Sequence, residues 1–250
     1  MYNSNISSNL LYHFTKDSDI LVSIIKNGFW PMTAIEDISF MLPKYKEARI
    51  GIPMVCFTDI PIDLIDEHMK EYGSFGIGMK KEWGIKNGLN PVSYVLKDSE
   101  FYNSFNHLQY IAVHNASELD KGKKEMQKTL EMMIAFMNYA GFLKEYSSDK
   151  SLNSKPYYDE REWRYLPPFA DENANIKGYC NRLMPDDVDN QEEKEKLNKH
   201  MRQRYTLKFG PDDVEKIIVP DEVEASLLRH KFEKSYELYR NKICTPEKNF

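Results

Sequence analysis

The sequence predicts an α+β fold, a mixed and strongly twisted sheet of six to seven short strands with a central helical excursion. Three observations predict it. Short apolar runs at residues 10–15, 52–58 and 74–80 alternate with stretches of helical period. The longest helical stretch, residues 99–140, falls between two groups of strands and forms the excursion. The polar stretch 171–203 cannot bury a core of its own, so residues 1–250 read as a single domain carrying a charged insertion or lid.

Each element follows from its residues. LLYHFT at residues 10–15 is an apolar strand interrupted by His13, with Thr15 two residues on and on the same face. Asp17 or Ser18 can cap the next helix, Ile20, Leu21, Ile24 and Ile25 make its apolar stripe, and Gly28 marks its end. Residues 52–58 are a continuous apolar run, as expected of a buried strand. Pro61 opens a short helix with Ile62, Ile65 and Met69 at core spacing, capped by Asp59 and stopping near Tyr72 and Gly73. Residues 74–80 then set Phe75, Ile77 and Met79 on one face and Gly76 and Gly78 on the other. Two glycines on one strand face mean close approach, either of a ligand or of a packed neighbour.

Residues 90–96 read as a further strand, and 99–139 as two amphipathic helices. The second is lined by Met126, Leu130, Met133, Ile134 and Met137, which serve as core filler. YYDEREWRYL, residues 157–166, reads as one strand with Glu160, Glu162 and Arg164 on one face and Arg161, Trp163 and Tyr165 on the other. A charged helix near 191–201, strands at 205–209 and 215–219, and an amphipathic helix over 221–239 complete the order.

Composition removes several functions. A net charge of −5 gives no general attraction to nucleic acid or to an anionic membrane, so nucleic acid is not expected as the main partner. No apolar run approaches the roughly 20 residues of a membrane helix. Three widely spaced cysteines without a CxxC suggest neither a zinc framework nor a disulfide scaffold, and with no leader-like segment the chain is expected in the reducing cytoplasm. GxxxxGK[ST], HExxH and GxSxG are all missing. His107 and His114 share a helix face with no third ligand, so no metal is expected.

Chemistry is concentrated in the 157–166 run. Two acids side by side on a strand repel, so that face needs positive charge, from the neighbouring arginines or from a cationic reaction centre. A His on the first strand, an aromatic in the middle and a Glu on a late strand resembles the His-Tyr-Glu arrangement of ADP-ribosyltransferases. That resemblance implies an NAD pocket and transfer of ADP-ribose to a macromolecular acceptor. Glu162 and Glu160 would be the catalytic carboxylates, because breaking the nicotinamide–ribose bond creates an oxocarbenium ion that a fixed carboxylate stabilises. His13 and Thr15 would face the ribose, Tyr72 would stack on nicotinamide, Gly76 and Gly78 would let the dinucleotide lie on the sheet, and Arg164 would hold a phosphate. Plainer readings stand beside these. His13 can be a core histidine bonded to a backbone carbonyl, Glu162 and Arg164 a structural ion pair, Tyr72 a helix-end aromatic, and the glycines tight packing.

The runs LLYHFT, IIKNGF, MVCFTDIP, YGSFGIGMKKEWGIKNGLNPVSY, EREWRYLP and FGPDDVEKIIVP together resemble the AbiGi family of abortive phage-infection proteins, in the same order along nearly the whole chain. That resemblance implies the antitoxin half of a two-component system whose other member is a nucleotidyltransferase-like toxin. A cognate toxin protein is then the expected partner. A non-enzymatic antitoxin that binds and silences it is the alternative to an ADP-ribosyltransferase.

Overall fold

The computed structural model describes residues 8–41, 47–117, 135, 138–147, 156–169, 180–232 and 236–246. Its main sheet contains β1 (Leu10–Thr15), β2 (Met32–Asp37), β3 (Arg49–Thr58), β4 (Phe75–Lys80), β5 (Asn90–Pro91), β8 (Glu162–Tyr165), β9 (Val214–Ile218) and β10 (Ile243–Cys244). The order is β10-β9-β4-β1-β3-β8-β5, with β2 also paired to β3. β9 and β10 run parallel and the other pairs antiparallel, so the sheet is mixed. β6 (Ser93–Val95) and β7 (Leu143–Glu145) form a separate parallel pair.

Alternation along the strands gives the sheet two unlike faces. On one, Leu11, Phe57, Ile77, Met79 and Ile217 pack beneath α1 (Ser18–Asn27) and α3 (Lys81–Lys86) in the principal core. Each large side chain buried there contributes about 1.5–3 kcal/mol. α1 starts where the Asp17 carboxylate accepts the Asp19 amide at 2.6 Å, and stops at Gly28, whose φ of 87° favours glycine. Leu21, Ile24 and Ile25 are the buried stripe of α1. Ile20 lies at its margin and is 51 % exposed.

On the other face, Tyr12 and Phe14 of β1 pack against Ile60, Ile65 and Ile218. α2 (Asp66–Tyr72) covers this half, ending at Gly73 with φ 120°. A side chain there would run into the backbone of Thr15, so glycine is what allows Tyr72 to finish the helix against the sheet. α4 (Glu100–Ser117) contributes Tyr102 and Phe105 to a second small core with Val95 and Leu143 of the β6–β7 pair.

Several elements differ from expectation, each for a local reason. β2 was not anticipated, because MTAIED mixes one exposed end with acidic residues and gives no clean alternation. Residues 90–96 split at Val92: Pro91 has no N–H to continue a ladder, and the chain passes from β8 to β7. Residues 205–209 contribute only the bridge from Leu207 to Phe29. Residues 221–239 contain two helices, α6 (Glu222–Lys231) and α7 (Glu237–Arg240). Asp59 does not cap the turn after Pro61. It pairs with Lys81 at 2.8 Å.

The described part of the charged insertion is built into the fold. α5 (Gln191–Arg204) buries Leu197 and Met201 with Leu183 and Val188, and Asn198 accepts from both the amide and the hydroxyl of Thr33 at 2.8 Å. The second helix expected in the excursion, with Met126, Leu130, Met133, Ile134 and Met137, lies outside the described residues, as do residues 170–179. Among the described residues no helix is long and apolar enough to cross a membrane, and no group of His, Cys, Asp and Glu could hold a metal ion.

Candidate functional site

The 157–166 run is not one strand. Tyr157–Glu160 is a turn of 3-10 helix, and Arg161 ends it at φ 44°. This left-handed conformation costs an L-residue roughly 1–2 kcal/mol. Two hydrogen bonds hold it in place: the Asp59 amide donates to the Arg161 carbonyl at 3.0 Å, and the Thr58 hydroxyl donates to the Glu160 carbonyl at 2.6 Å. The sheet resumes at β8, with Glu162 opposite Thr58 and Arg164 opposite Cys56. Glu160 therefore does not share a strand face with Glu162. Its carboxylate reaches the same place from the turn.

Glu162 and Arg164, two apart on β8, point the same way and are both buried. Arg164 Nε donates to Glu162 Oε1 at 2.6 Å and Nη2 to Oε2 at 3.0 Å, a two-pronged pair. Arg164 Nη1 donates to the Gly141 carbonyl at 3.0 Å, and Nη2 also approaches Glu36 of β2 at 3.3 Å. Lys144 of β7 donates to Glu160 at 2.7 Å and to Glu162 at 3.2 Å, with its Nζ 4.8 Å from the centre of the Tyr157 ring. The Glu162 amide donates to the Tyr94 hydroxyl at 3.0 Å.

Electrostatics follow this geometry. Burial by itself would raise the Glu162 carboxyl, but the Arg164 guanidinium and the Lys144 ammonium hold it at about 2. Burial would lower Arg164, and the charges of Glu162 and Glu36 keep it raised. Burial, and then the neighbouring Glu162, push the Cys56 thiol well above its usual range, which disfavours the thiolate. The Glu162 carboxylate is thus shared between two cations, Arg164 and Lys144.

Beside this cluster lies a cavity of about 660 Å³, with Glu36, Tyr72, Lys144, Tyr157, Glu160 and Arg164 in its wall. Tyr72 donates to Glu160 at 3.4 Å, a long bond, and burial and the Glu160 charge raise its hydroxyl. Of the residues singled out from sequence, Tyr72, Glu160 and Arg164 meet here. Glu162 is bonded to Arg164 of the wall without lining the cavity itself, so of the two carboxylates Glu160 is the one that faces it.

The others do not join them. His13 is on the opposite face: its ring packs against Phe29 and Phe57 in the principal core, and Nδ1 lies 2.8 Å from the Cys56 carbonyl. Burial lowers its pKa, as for a histidine kept neutral. Thr15 shares that face and accepts the Asp17 amide at 3.5 Å. Gly76 and Gly78 face the cleft side, but the rings of Phe14 and Tyr12 lie over them. An added Cβ would come within 2.5 Å of the first ring and 2.9 Å of the second. The residues assigned to NAD therefore do not assemble one dinucleotide cradle. Lys144 and Glu36 were missed, although FLKEY after Gly141 carries a short alternation that marks β7.

The fold and site define a mixed α+β domain with a buried ion network beside a polar cleft. A family model described as "Putative abortive phage resistance protein AbiGi, antitoxin" matches residues 27–220, a span that includes the cleft and excludes His13 and Thr15. The chain belongs to the AbiGi antitoxin family. It is similar to the abortive phage resistance protein AbiGi of Lactococcus lactis subsp. cremoris, with 30% identity over 47% of this chain and 52% of that relative. The match thus spans about half the relative's length. No solved structure matches the chain.

Proposed function

We propose that the protein is an antitoxin that silences a cognate toxin in phage defence by binding it. One observation carries the choice of binding over catalysis: Glu162, the carboxylate placed to stabilise a cation, is already neutralised by Arg164 and Lys144. A fully paired buried network fixes the shape of a surface and supplies no reactive group. The test is co-expression with the neighbouring toxin. Restored growth and a co-purified complex are expected, and growth arrest with no complex would sink the reading.

A second reading, transfer of ADP-ribose from NAD to a macromolecular acceptor, is supported by Tyr72, Glu160 and Arg164 lining one cavity. Titration with NAD separates the two. Binding and turnover lost in both Glu160→Gln and Glu162→Gln would favour the enzyme, and no binding by the wild type would remove it.

A further inference from the structure

Two stretches of the chain, residues 20–35 and 196–211, contain no acidic residue, in a sequence with 39 of them in 250. The fold brings these stretches together. The Phe29 amide donates to the Leu207 carbonyl at 3.0 Å, and the Leu207 amide donates to the Phe29 carbonyl at 2.7 Å. Thr33 donates to Asn198, Lys208 Nζ donates to the Asn27 carbonyl at 2.7 Å, and the Arg202 guanidinium lies 4.4 Å from the centre of the Trp30 ring. Lys26, Lys199, Arg202 and Lys208 are all exposed beside this seam. Their fields add, because neither stretch supplies a carboxylate to offset them.

Helix ends account for part of this charge and not for the rest. Lysine and arginine near a C-terminus offset the helix dipole, and Lys208 does this for α1 through Asn27. At the end of α5 the Arg202 carbonyl accepts the Thr206 hydroxyl at 2.7 Å, and the Arg202 side chain turns to Trp30 instead. Neither Arg202 nor Lys199 forms an ion pair with a described residue, whereas Lys196 of the same helix is paired with Glu192 and Glu193. Stacking on Trp30 holds the guanidinium in place before a partner arrives, which lowers the ordering cost of a contact. Met32, two residues after Trp30, is 51 % exposed. Tryptophan, methionine and arginine at the centre, with polar groups around them, is the composition of a protein interface.

We propose that this face, centred on Arg202 and Trp30, is where the chain holds an acidic surface of its toxin. The proposal rests on the toxin-binding role above and adds the face and the charge of the contact. Charge complementarity selects an acidic occupant. A protein fits better than a nucleic-acid strand, because Arg202 already occupies a face of the Trp30 ring that a base would need, and the chain as a whole carries a net −5.

The test measures binding of the purified full chain to the neighbouring toxin by biolayer interferometry at low and high salt, with the melting temperature of each variant read alongside. Wild-type affinity falls as salt rises. Lys199→Glu/Arg202→Glu weakens the complex by roughly tenfold or more, chiefly through slower association, and Lys199→Gln alone weakens it by about threefold at unchanged melting temperature. Lys16→Glu/Lys70→Glu, an equal change of charge beside α2, leaves it unchanged. A complex as tight with Lys199→Glu/Arg202→Glu as with wild type overturns the proposal and leaves the antitoxin role intact. So does an equal loss in both double variants. Binding of labelled poly-uridine RNA that only Lys199→Glu/Arg202→Glu removes, with toxin affinity unchanged, assigns the face to nucleic acid and overturns the proposal too. A wild-type dimer that the same variant takes apart, again with toxin affinity unchanged, assigns the face to a second copy of the chain with the same consequence. A wild-type chain that forms no toxin complex overturns both the proposal and the role it rests on.

Discussion

On the face under α1, His13 is held by one backbone carbonyl and wrapped by Phe29 and Phe57, and its ring is kept neutral. On the cleft face, Glu162 and Arg164 stay charged and are satisfied by each other, by Lys144, by Glu36 and by the Gly141 carbonyl. Both faces bury polar groups, but one does so by discharging them and the other by pairing them. The difference teaches where specificity resides. A neutral histidine among aromatics can be exchanged for another apolar ring, whereas a paired charge fails as soon as one member is removed.

The largest effect expected from breaking this comparison is Arg164→Ala. It leaves Glu162 and Glu36 facing each other in a buried site and costs about 3–5 kcal/mol in urea unfolding. The double variant Glu162→Leu/Arg164→Met recovers most of that loss. A double variant as unstable as the single one would mean that pairing is not what the face depends on.

Acid titration sharpens the contrast next. The Glu162 carboxyl falls from its ordinary 4.5 to about 2 in the folded chain, so its contribution is present above pH 4.5 and is lost as pH falls towards 2. The expected loss is at most about 3 kcal/mol, seen as a falling melting temperature that Glu162→Gln flattens. His13 is also lowered, so its contribution is complete above its unfolded value of 6.5 and declines as pH falls below it. His13→Phe removes that higher window and leaves the acidic one untouched.

Smaller effects follow. Gly76→Ala pushes against the Phe14 ring and costs about 1–3 kcal/mol by thermal unfolding. A neutral result would show that the ring can swing away and reopen the glycine face. Arg161→Gly relieves the left-handed backbone before β8 and stabilises the chain by about 1 kcal/mol. Tyr72→Phe, which removes only a 3.4 Å hydrogen bond at a partly exposed site, changes stability by less than about 0.5 kcal/mol. A larger change would tie α2 to the ion network more firmly than the geometry does.

Much of the fold was legible because its cues are local. Asp17 and Gly28 bracket α1, Phe75, Ile77 and Met79 alternate against two glycines in β4, and Glu162 and Arg164 share a face of β8. The break before β8 was not legible, because Arg161 is an unremarkable residue for a left-handed position and Asp59 and Thr58, about a hundred positions earlier, hold it there. The glycine face was ambiguous for a related reason. Nothing within FGIGMK says that the rings of Tyr12 and Phe14 lie across it.

The sequence by itself determined the α+β class, most strands and helices, and the AbiGi membership carried by its ordered motif blocks, because alternation, capping and motif order are properties of neighbouring residues. Only the tertiary structure decided which polar residues meet. His13 and Glu162 sit on opposite faces because β1, β3 and β8 pair in one register, and that register depends on contacts across the sheet. Lys144, brought in by β7 from 16 and 18 positions before the two acids, pairs with both Glu160 and Glu162, a meeting that neither segment announces by itself.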